Sequence, residues 1–129
     1  MKFKIILLIA FLIWPTSLLA DDQISNTGTF SSFKYYDESG DVVGLEVFIT
    51  YSRDGYFATV QGAEGVPGKP VVVPVQISGN ALSFTVPNSN DYIGYHGEFT
   101  GLVKNEGLYL KVKGISQQLF LPRRASYWQ

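Results

Sequence analysis

The chain has one histidine and no cysteine, which limits the metal and redox chemistry open to it. His96 and Glu98 lie two positions apart in a predicted strand, so both side chains point to the same face. A zinc site needs three or four converging ligands, and the spacing identifies no third one. The pattern predicts an exposed polar face rather than a metal site.

Catalysis by a nucleophile would need a base beside a serine or threonine. His96 is the only histidine, and no serine lies in a sequence typical of a nucleophile turn. Paired carboxylates of the kind that glycoside hydrolases use could come from a set of acidic residues, most of them in predicted turns. These are Asp37, Glu38, Asp41, Asp54 and Glu64. Turn formation accounts for them, so we expect no enzyme, no catalytic residue and no cofactor.

The clearest structural signal is a β-hairpin over Val71–Pro87. Gly79-Asn80 separates two alternating runs, and both residues tolerate the positive φ of a tight hairpin turn. Pairing Ser78 with Ala81 places six apolar side chains on one face: Val73, Val75, Ile77, Leu82, Phe84 and Val86. Pro74 would then fall at a hydrogen-bonded pair, where it has no N–H to donate. Either the loop is four residues long, or the ladder breaks or bulges at Pro74.

Other alternating segments bounded by turn residues extend this pattern along the chain. The predicted strands are 28–36, 42–52, 56–61, the two of the hairpin, 92–103, 108–113 and 117–121. We therefore predict an all-β fold: an eight-stranded antiparallel meander that forms a closed or partly closed small barrel, with a two-sheet β-sandwich as the alternative. In the second strand, Gly44 marks a bend or bulge. The face assigned to the core in that strand carries Leu45, Val47, Ile49 and Tyr51.

The segment Gly62–Pro70 holds three glycines and two prolines, which argues against regular structure. It has neither the spacing of a phosphate-binding loop nor a following helix. Two interpretations remain: a connection over one barrel end, or a recognition loop carried by a rigid scaffold.

The first residues have the pattern of a secretory signal peptide. A short basic start precedes an apolar run over 5–14, and Ala20 comes just before two aspartates. We expect cleavage after Ala20, which leaves a single domain over 21–129 in the periplasm or outside the cell. The apolar run is short for a membrane span, and a retained N-terminal anchor is the alternative.

The charge of the predicted mature chain argues against nucleic acid and anionic membranes as partners. The full chain has 10 basic and 11 acidic residues. Lys2 and Lys4 are removed with the leader, so the mature chain has three more acidic than basic residues. Nucleic acids and anionic membranes bind basic patches, which such a chain is not expected to have. An exported domain without cysteine fits a bacterial periplasm better than a eukaryotic extracellular space.

The predicted architecture resembles the calycin group, although no lipocalin or avidin signature is present. The stretches 56–65 (YFATVQGAEG) and 121–129 (LPRRASYWQ) are similar to segments of small exported uncharacterised proteobacterial proteins. This resemblance implies a compartment and no activity, so it assigns no functional residue.

We predict a monomeric, non-catalytic binding protein with a protein partner, in the manner of an inhibitor or immunity protein. The possible recognition surface comprises Glu64, Lys69, Tyr56, Tyr92, Tyr95, Arg123, Arg124 and Trp128. The alternative is a lipocalin-like carrier of a small apolar ligand, whose cavity would be lined by Leu45, Val47, Val75, Phe84, Phe99 and Leu110. We expect Trp128 to pack the tail over an open barrel end.

Overall fold

The computed structural model of the protein describes residues 23–89 and 94–129; the predicted leader and its cleavage site lie outside this part. The strands are β1 (Gly28–Ser31), β2 (Lys34–Tyr36), β3 (Asp41–Ser52), β4 (Gly55–Gly65), β5 (Val71–Ser78), β6 (Ala81–Val86), β7 (Gly97–Val103), β8 (Gly107–Val112) and β9 (Leu119–Pro122). Across the described residues, we find no helix that is long and apolar enough to cross a membrane.

The strands form an antiparallel sheet whose order follows the chain, from β1 through β3 to β9, with β2 paired to β3 beside β1. The predicted all-β meander is confirmed, because tight turns join most neighbours in sequence. The sheet curls into a nearly closed barrel. β1 meets β9 at an isolated bridge between Phe30 and Arg123, and the Arg124 N–H donates to the Thr29 carbonyl oxygen at 3.2 Å. Beyond that bridge the barrel has one unsealed seam.

The hairpin has the predicted two-residue turn. Ser78 pairs with Ala81, Ile77 with Leu82 and Gln76 with Ser83, and the ladder stops there. On its other edge, β5 pairs with β4, where Pro74 lies opposite Phe57. Of the alternatives for Pro74, the broken ladder is the one observed, since proline has no N–H for the next rung.

The barrel interior is filled by one apolar cluster drawn from every strand except β2. Within it, Phe84 and Phe99 stack with 4.9 Å between ring centroids. Burial of each large apolar side chain in this cluster contributes roughly 1.5–3 kcal/mol to the free energy of unfolding. The core can therefore stabilise the fold without disulfides. The assignment of Tyr51 to the core is wrong. Its side chain is 68% exposed at the end of β3, where it contacts the ring of Tyr56 instead.

The first predicted strand is divided into β1 and β2 because the ladder is interrupted at Ser32. There the Ser32 Oγ, rather than a backbone carbonyl, accepts the Leu45 N–H at 3.0 Å. Gly44 lies beside this point with φ +138°, and a Cβ at Gly44 would lie 2.6 Å from the Ser32 carbonyl oxygen. Gly44 therefore permits a close strand approach, and the β3–β4 register runs through it without a bulge.

Two predicted boundaries are corrected. β4 continues to Gly65, so the first four residues of the segment predicted to be irregular are paired with β3. β7 begins at Gly97 rather than at position 92, and residues 90–93 lie outside the described part. Glycine content misleads at β4 because close packing against a neighbouring strand can itself require glycine.

Candidate functional site at the open end of the barrel

The two ends of the barrel differ in how they are covered. At the closed end, which contains the Gly79-Asn80 turn, the Asn80 Nδ2 donates to the Ile24 carbonyl oxygen at 3.3 Å and to Asn26 Oδ1 at 2.9 Å. The Asn26 Nδ2 donates in turn to the Gly79 carbonyl oxygen at 2.8 Å. Ile24 packs against the core cluster. The segment before β1 therefore covers this end.

The opposite, open end holds the turn 37–40, the segment 66–70, residues 94–96 and the turn 113–118. A pocket of about 230 Å³ lies there; we call it the seam pocket. Val43 and Leu45 of β3 line one side, Leu119 and Leu121 of β9 line the other, and Ser32 lies between them at the end of β1. The pocket thus reaches the apolar core through the unsealed seam between β2 and β9.

Backbone geometry shows how the β9 side of the seam is oriented. In an antiparallel ladder, hydrogen-bonded and non-hydrogen-bonded pairs alternate. The Arg123 N–H donates to the Glu106 carbonyl oxygen at 2.9 Å, so this pair of the β8–β9 ladder is hydrogen-bonded. Three residues earlier, the Tyr109–Phe120 pair is therefore non-hydrogen-bonded. The N–H and C=O of Phe120 point away from β8, toward the seam.

The same alternation orients the β2 side. The Ser32 N–H donates to the Leu45 carbonyl oxygen at 2.9 Å, and the register continues to Tyr35 opposite Val42. Tyr35 lies three residues after Ser32, so the Tyr35–Val42 pair is non-hydrogen-bonded. The N–H and C=O of Tyr35 therefore point away from β3. β2 pairs with no strand other than β3 among the described residues. Both borders of the seam therefore present backbone groups to it.

The rim of the open end is aromatic and acidic. Three aromatic side chains there are substantially exposed: Tyr35 (49%), Tyr36 (45%) and Tyr95 (37%). Phe120 (43%) is exposed nearby on the outer face, against Tyr109. Four acidic residues are also exposed at this end: Asp37, Glu38, Asp41 and Glu64. None of these four forms an ion pair with a described residue. Tyrosine supplies large, stiff contact area, and unpaired carboxylates attract cationic groups, so the rim has the composition of an interface.

The structure brings two of the eight predicted recognition residues together at this site. Glu64 and Tyr95 both line the seam pocket. Lys69 is exposed in the segment after β4. Tyr56 is half-buried against Tyr51 at the closed end, so it does not belong to the same surface. Tyr92 lies outside the described residues.

Arg123 has a structural role. Its guanidinium donates to the carbonyl oxygens of Thr27 at 3.0 Å, Ser25 at 2.8 Å and Lys104 at 3.2 Å, and its Nε donates to that of Asn105 at 3.3 Å. It ties the segment before β1 to the turn between β7 and β8. Arg124 is more exposed, and its guanidinium donates to the Phe33 carbonyl oxygen at 2.7 Å.

The tail after β9 lies on the outer face of the barrel, which corrects the expectation that Trp128 covers an open end. The Trp128 indole N–H donates to Gln61 Oε1 of β4 at 2.8 Å. The Glu46 carboxylate, buried on the outer face of β3, accepts the Tyr127 N–H at 2.9 Å and the Ser126 hydroxyl. Below the tail, Phe33 forms a second small cluster with Val42 and Ala63. The tail therefore covers an outer core.

Sequence reasoning missed the site residues Tyr35, Phe120 and Val43. The sequence places Tyr35 in the first predicted strand and Phe120 in the last one, and it assigns neither to a site. The available signal was the acidic turn after Tyr36, which joins β2 to β3 at the open end. The unsealed seam itself has no signal in the sequence, because it depends on where β2 diverges from β9.

His96 and Glu98 do not form part of this site. His96 is exposed just before β7, and the Glu98 carboxylate forms an ion pair with Lys113 Nζ at 3.2 Å. Within 23–89 and 94–129, no three His, Asp or Glu side chains are grouped as metal ligands. The comparisons with known proteins add no assignment: no family model, no curated protein and no solved structure matches this chain.

Proposed function

We propose that the protein is a non-catalytic binding domain, periplasmic or secreted, that recognises a protein partner through the open end of its barrel, as an inhibitor or immunity protein does. The observation that carries this proposal is the pocket that reaches the core at the open end and is lined in part by Tyr95, together with the exposed rings of Tyr35 and Tyr36 on β2 at the same end. Exposed aromatic side chains beside an apolar pocket are typical of the anchors that dominate protein interfaces.

The charge of the rim favours a cationic partner. Four exposed carboxylates without an ion pair to a described residue lie at the open end, against two exposed lysines there, Lys34 and Lys69; Lys113 is paired with Glu98. The Lys34 Nζ lies 5.0 Å from the centre of the Tyr36 ring. Complementary charge accelerates encounter and excludes like-charged proteins. A basic enzyme or toxin fits this surface better than an acidic one.

The lipocalin-like carrier is the second candidate, and three observations weigh against it. The six side chains expected to line its cavity are packed in the core, each 6% exposed or less. The seam pocket, at about 230 Å³, is smaller than the roughly 300–1,000 Å³ of small-molecule sites. A pocket of about 440 Å³ beside the broken β5–β6 ladder is lined largely by polar residues, among them Gln76, Ser83, Thr85, Glu98 and Thr100, which does not suit an apolar ligand. Native mass spectrometry of the purified protein separates the two candidates. A bound small molecule that leaves on denaturation would favour the carrier.

The direct test is site-specific photo-cross-linking in cells that express the full chain. The photoreactive residue benzoylphenylalanine would replace Tyr36 or Tyr95 at the open end. Val72 is the matched control because it is 64% exposed on the outer face of β5. We expect one cross-linked protein that is common to positions 36 and 95 and absent at 72. Equal cross-linking at all three positions, or none at 36 and 95, would contradict the proposal.

A further inference from the structure

Among the described residues, β9 and β2 each have one edge without a partner strand, and the β9 edge borders the seam pocket. We propose that the partner contributes an extended segment that enters the seam as an added strand, hydrogen-bonded to β9 and to β2, with alternate side chains in the seam pocket. This inference rests on the proposed function and adds its binding mode. Strand addition at an exposed sheet edge is a general mode of peptide recognition, in which the backbone gives affinity and the pockets give specificity.

The edge of β9 is suited to this role. The N–H and C=O of Phe120 point into the seam, while the side chains of Leu119 and Leu121 line the pocket below. Proteins usually protect such an edge with charged residues, proline or a covering segment. In β9 the only such residue is Pro122, next to the closed bridge at Arg123, and Leu119–Leu121 carries no charge.

The edge of β2 completes the site. β1 and β2 lie on the same side of β3, so the free edge of β2 continues the edge by which β1 meets β9. The seam is closed at Phe30 and Arg123. Past this bridge the Phe33 carbonyl oxygen accepts the Arg124 guanidinium at 2.7 Å and the Phe33 N–H donates to Ser31 Oγ at 3.3 Å, so among the described residues the free edge begins in β2, at Tyr35. A strand in this gap would turn the nearly closed barrel into a closed sheet, which removes both edges.

The size and charge of the site select the occupant. A pocket of about 230 Å³ holds one or two apolar side chains rather than a whole ligand. A second copy of this chain is disfavoured, because the acidic rim and the excess of acidic residues would bring like charges together. The occupant is therefore an extended segment of a different protein, with aliphatic residues at alternate positions and lysine or arginine facing Glu64 and the turn 37–40.

The probe is a phage-displayed library of random dodecapeptides, selected on protein purified from cells that express the full chain. Affinities of the strongest peptide are then compared for Phe120→Pro and Phe120→Ala. Proline removes the N–H that points into the seam, whereas alanine keeps it. The Phe120 ring lies on the outer face against Tyr109, 4.8 Å between centroids, so both variants lose the same ring contact. Pro122, two residues later in β9, also lies at a non-hydrogen-bonded pair with β8. A proline at position 120 is therefore compatible with the β8–β9 ladder.

We expect the selected peptides to alternate aliphatic and basic residues, and Phe120→Pro to bind about tenfold more weakly than Phe120→Ala. Tyr35→Pro and Tyr35→Ala form a second pair should Phe120→Pro unfold. On wild-type protein, amide hydrogen exchange at Phe120 and Tyr35 should slow when the peptide binds.

Strand addition would be overturned if the proline and alanine variants bound the peptide equally at both Phe120 and Tyr35, and amide exchange did not slow. The proposed function would still stand if Glu64→Lys weakened binding. Peptides that are insensitive to Glu64→Lys, or failure to select any peptide, would count against the proposed function as well. A dimer in sedimentation that Phe120→Pro dissociates would show that a second copy is the occupant, and would overturn the partner assigned here.

Discussion

The guanidinium of Arg123 lies over the ring of Phe30, with 4.6 Å from its Cζ to the ring centroid, at the bridge where β1 meets β9. This contact closes one end of the seam while the other end stays open. An arginine is suited to the position because its planar fork donates to several carbonyl oxygens and stacks on an aromatic ring at the same time. The seam is thus closed where Arg123 contacts Phe30 and open where no such contact among the described residues joins β2 to β9.

Replacing Arg123 with lysine should destabilise the fold by about 2–3 kcal/mol, because an ammonium group cannot reach four carbonyl oxygens in two segments. The measurement is the free energy of unfolding in urea. Arg53→Lys is the control, since the Arg53 side chain is 95% exposed and its only ion pair is with the adjacent Asp54. A loss at Arg123 no larger than that at Arg53 would show that the seam does not depend on this side chain.

Replacing Glu46 with glutamine should loosen the tail. The amide oxygen can still accept the Tyr127 N–H, but the NH₂ group that replaces the other oxygen must donate to Ser126 Oγ instead of accepting from it, so both charge-assisted hydrogen bonds are lost. Trp128 is the one tryptophan outside the predicted leader, so its fluorescence reports on the tail. We expect a red-shifted emission, stronger quenching by acrylamide and a stability loss of about 1–3 kcal/mol. The exposed Glu38→Gln is the control, and an unchanged emission in Glu46→Gln would contradict this role.

Alanine at Gly44 should destabilise the protein by about 3 kcal/mol or more, because its Cβ would overlap the backbone of Ser32 and Phe33 at a φ of +138°. Gly40→Ala separates strain from overlap. Gly40 also has a positive φ, +73°, but nothing lies within 4 Å of its added Cβ. We expect it to cost about 1 kcal/mol. Similar unfolding free energies for the two variants would show that the close strand approach is unimportant.

The Tyr109 hydroxyl donates to Glu106 Oε1 at 3.0 Å, which makes this contact depend on pH. A backbone hydrogen bond within Glu106 and the Tyr109 hydroxyl hold the pKa of the Glu106 carboxyl below 4.5, and this same contact raises the pKa of Tyr109 above 10.0. Stability from Glu106 is present above about pH 4.5 and is lost as the pH falls through the lowered pKa. Stability from Tyr109 is present below about pH 10 and is lost as the pH rises through the raised pKa.

The difference in unfolding free energy between wild type and Tyr109→Phe should therefore be largest at about pH 7 and smaller at about pH 3 and about pH 11. Tyr36→Phe provides the baseline for loss of an exposed hydroxyl. The same difference at all three pH values would mean that the Glu106 contact does not contribute to stability.

The sequence was sufficient for the strand order and for most of the core, because alternation and turn residues are local signals. The Gly79-Asn80 turn between two alternating runs predicted the observed register of the hairpin, whereas the missing N–H of Pro74 left a longer loop and a broken or bulged ladder open, and the structure shows the break. The buried set of β3 was also correct at Leu45, Val47 and Ile49. The assignment of Tyr51 to the core was wrong because alternation indicates which face a residue lies on, but not where the barrel ends.

The site was predicted less well, because it depends on contacts between residues far apart in sequence. Arg123 was assigned to a recognition surface, whereas its guanidinium is occupied by backbone carbonyl oxygens up to 98 positions away. Trp128 was expected at a barrel end, but Glu46 and Gln61 hold the tail on the outer face. Glu64 and Tyr95 were named separately, and only the fold shows that they line one pocket.

Mapping of backbone amide chemical shifts, with the strongest selected peptide added stepwise, tests the central claim most directly. If the open end is the binding surface, the largest changes will fall on Lys34–Tyr36, Val43–Leu45, Glu64 and Leu119–Leu121. The closed end, reported by Asn26 and Asn80, will stay unchanged. Changes centred on the closed end, or on the outer face around Phe48 and Trp128, would contradict the claim that this protein binds its partner through the open end of the barrel.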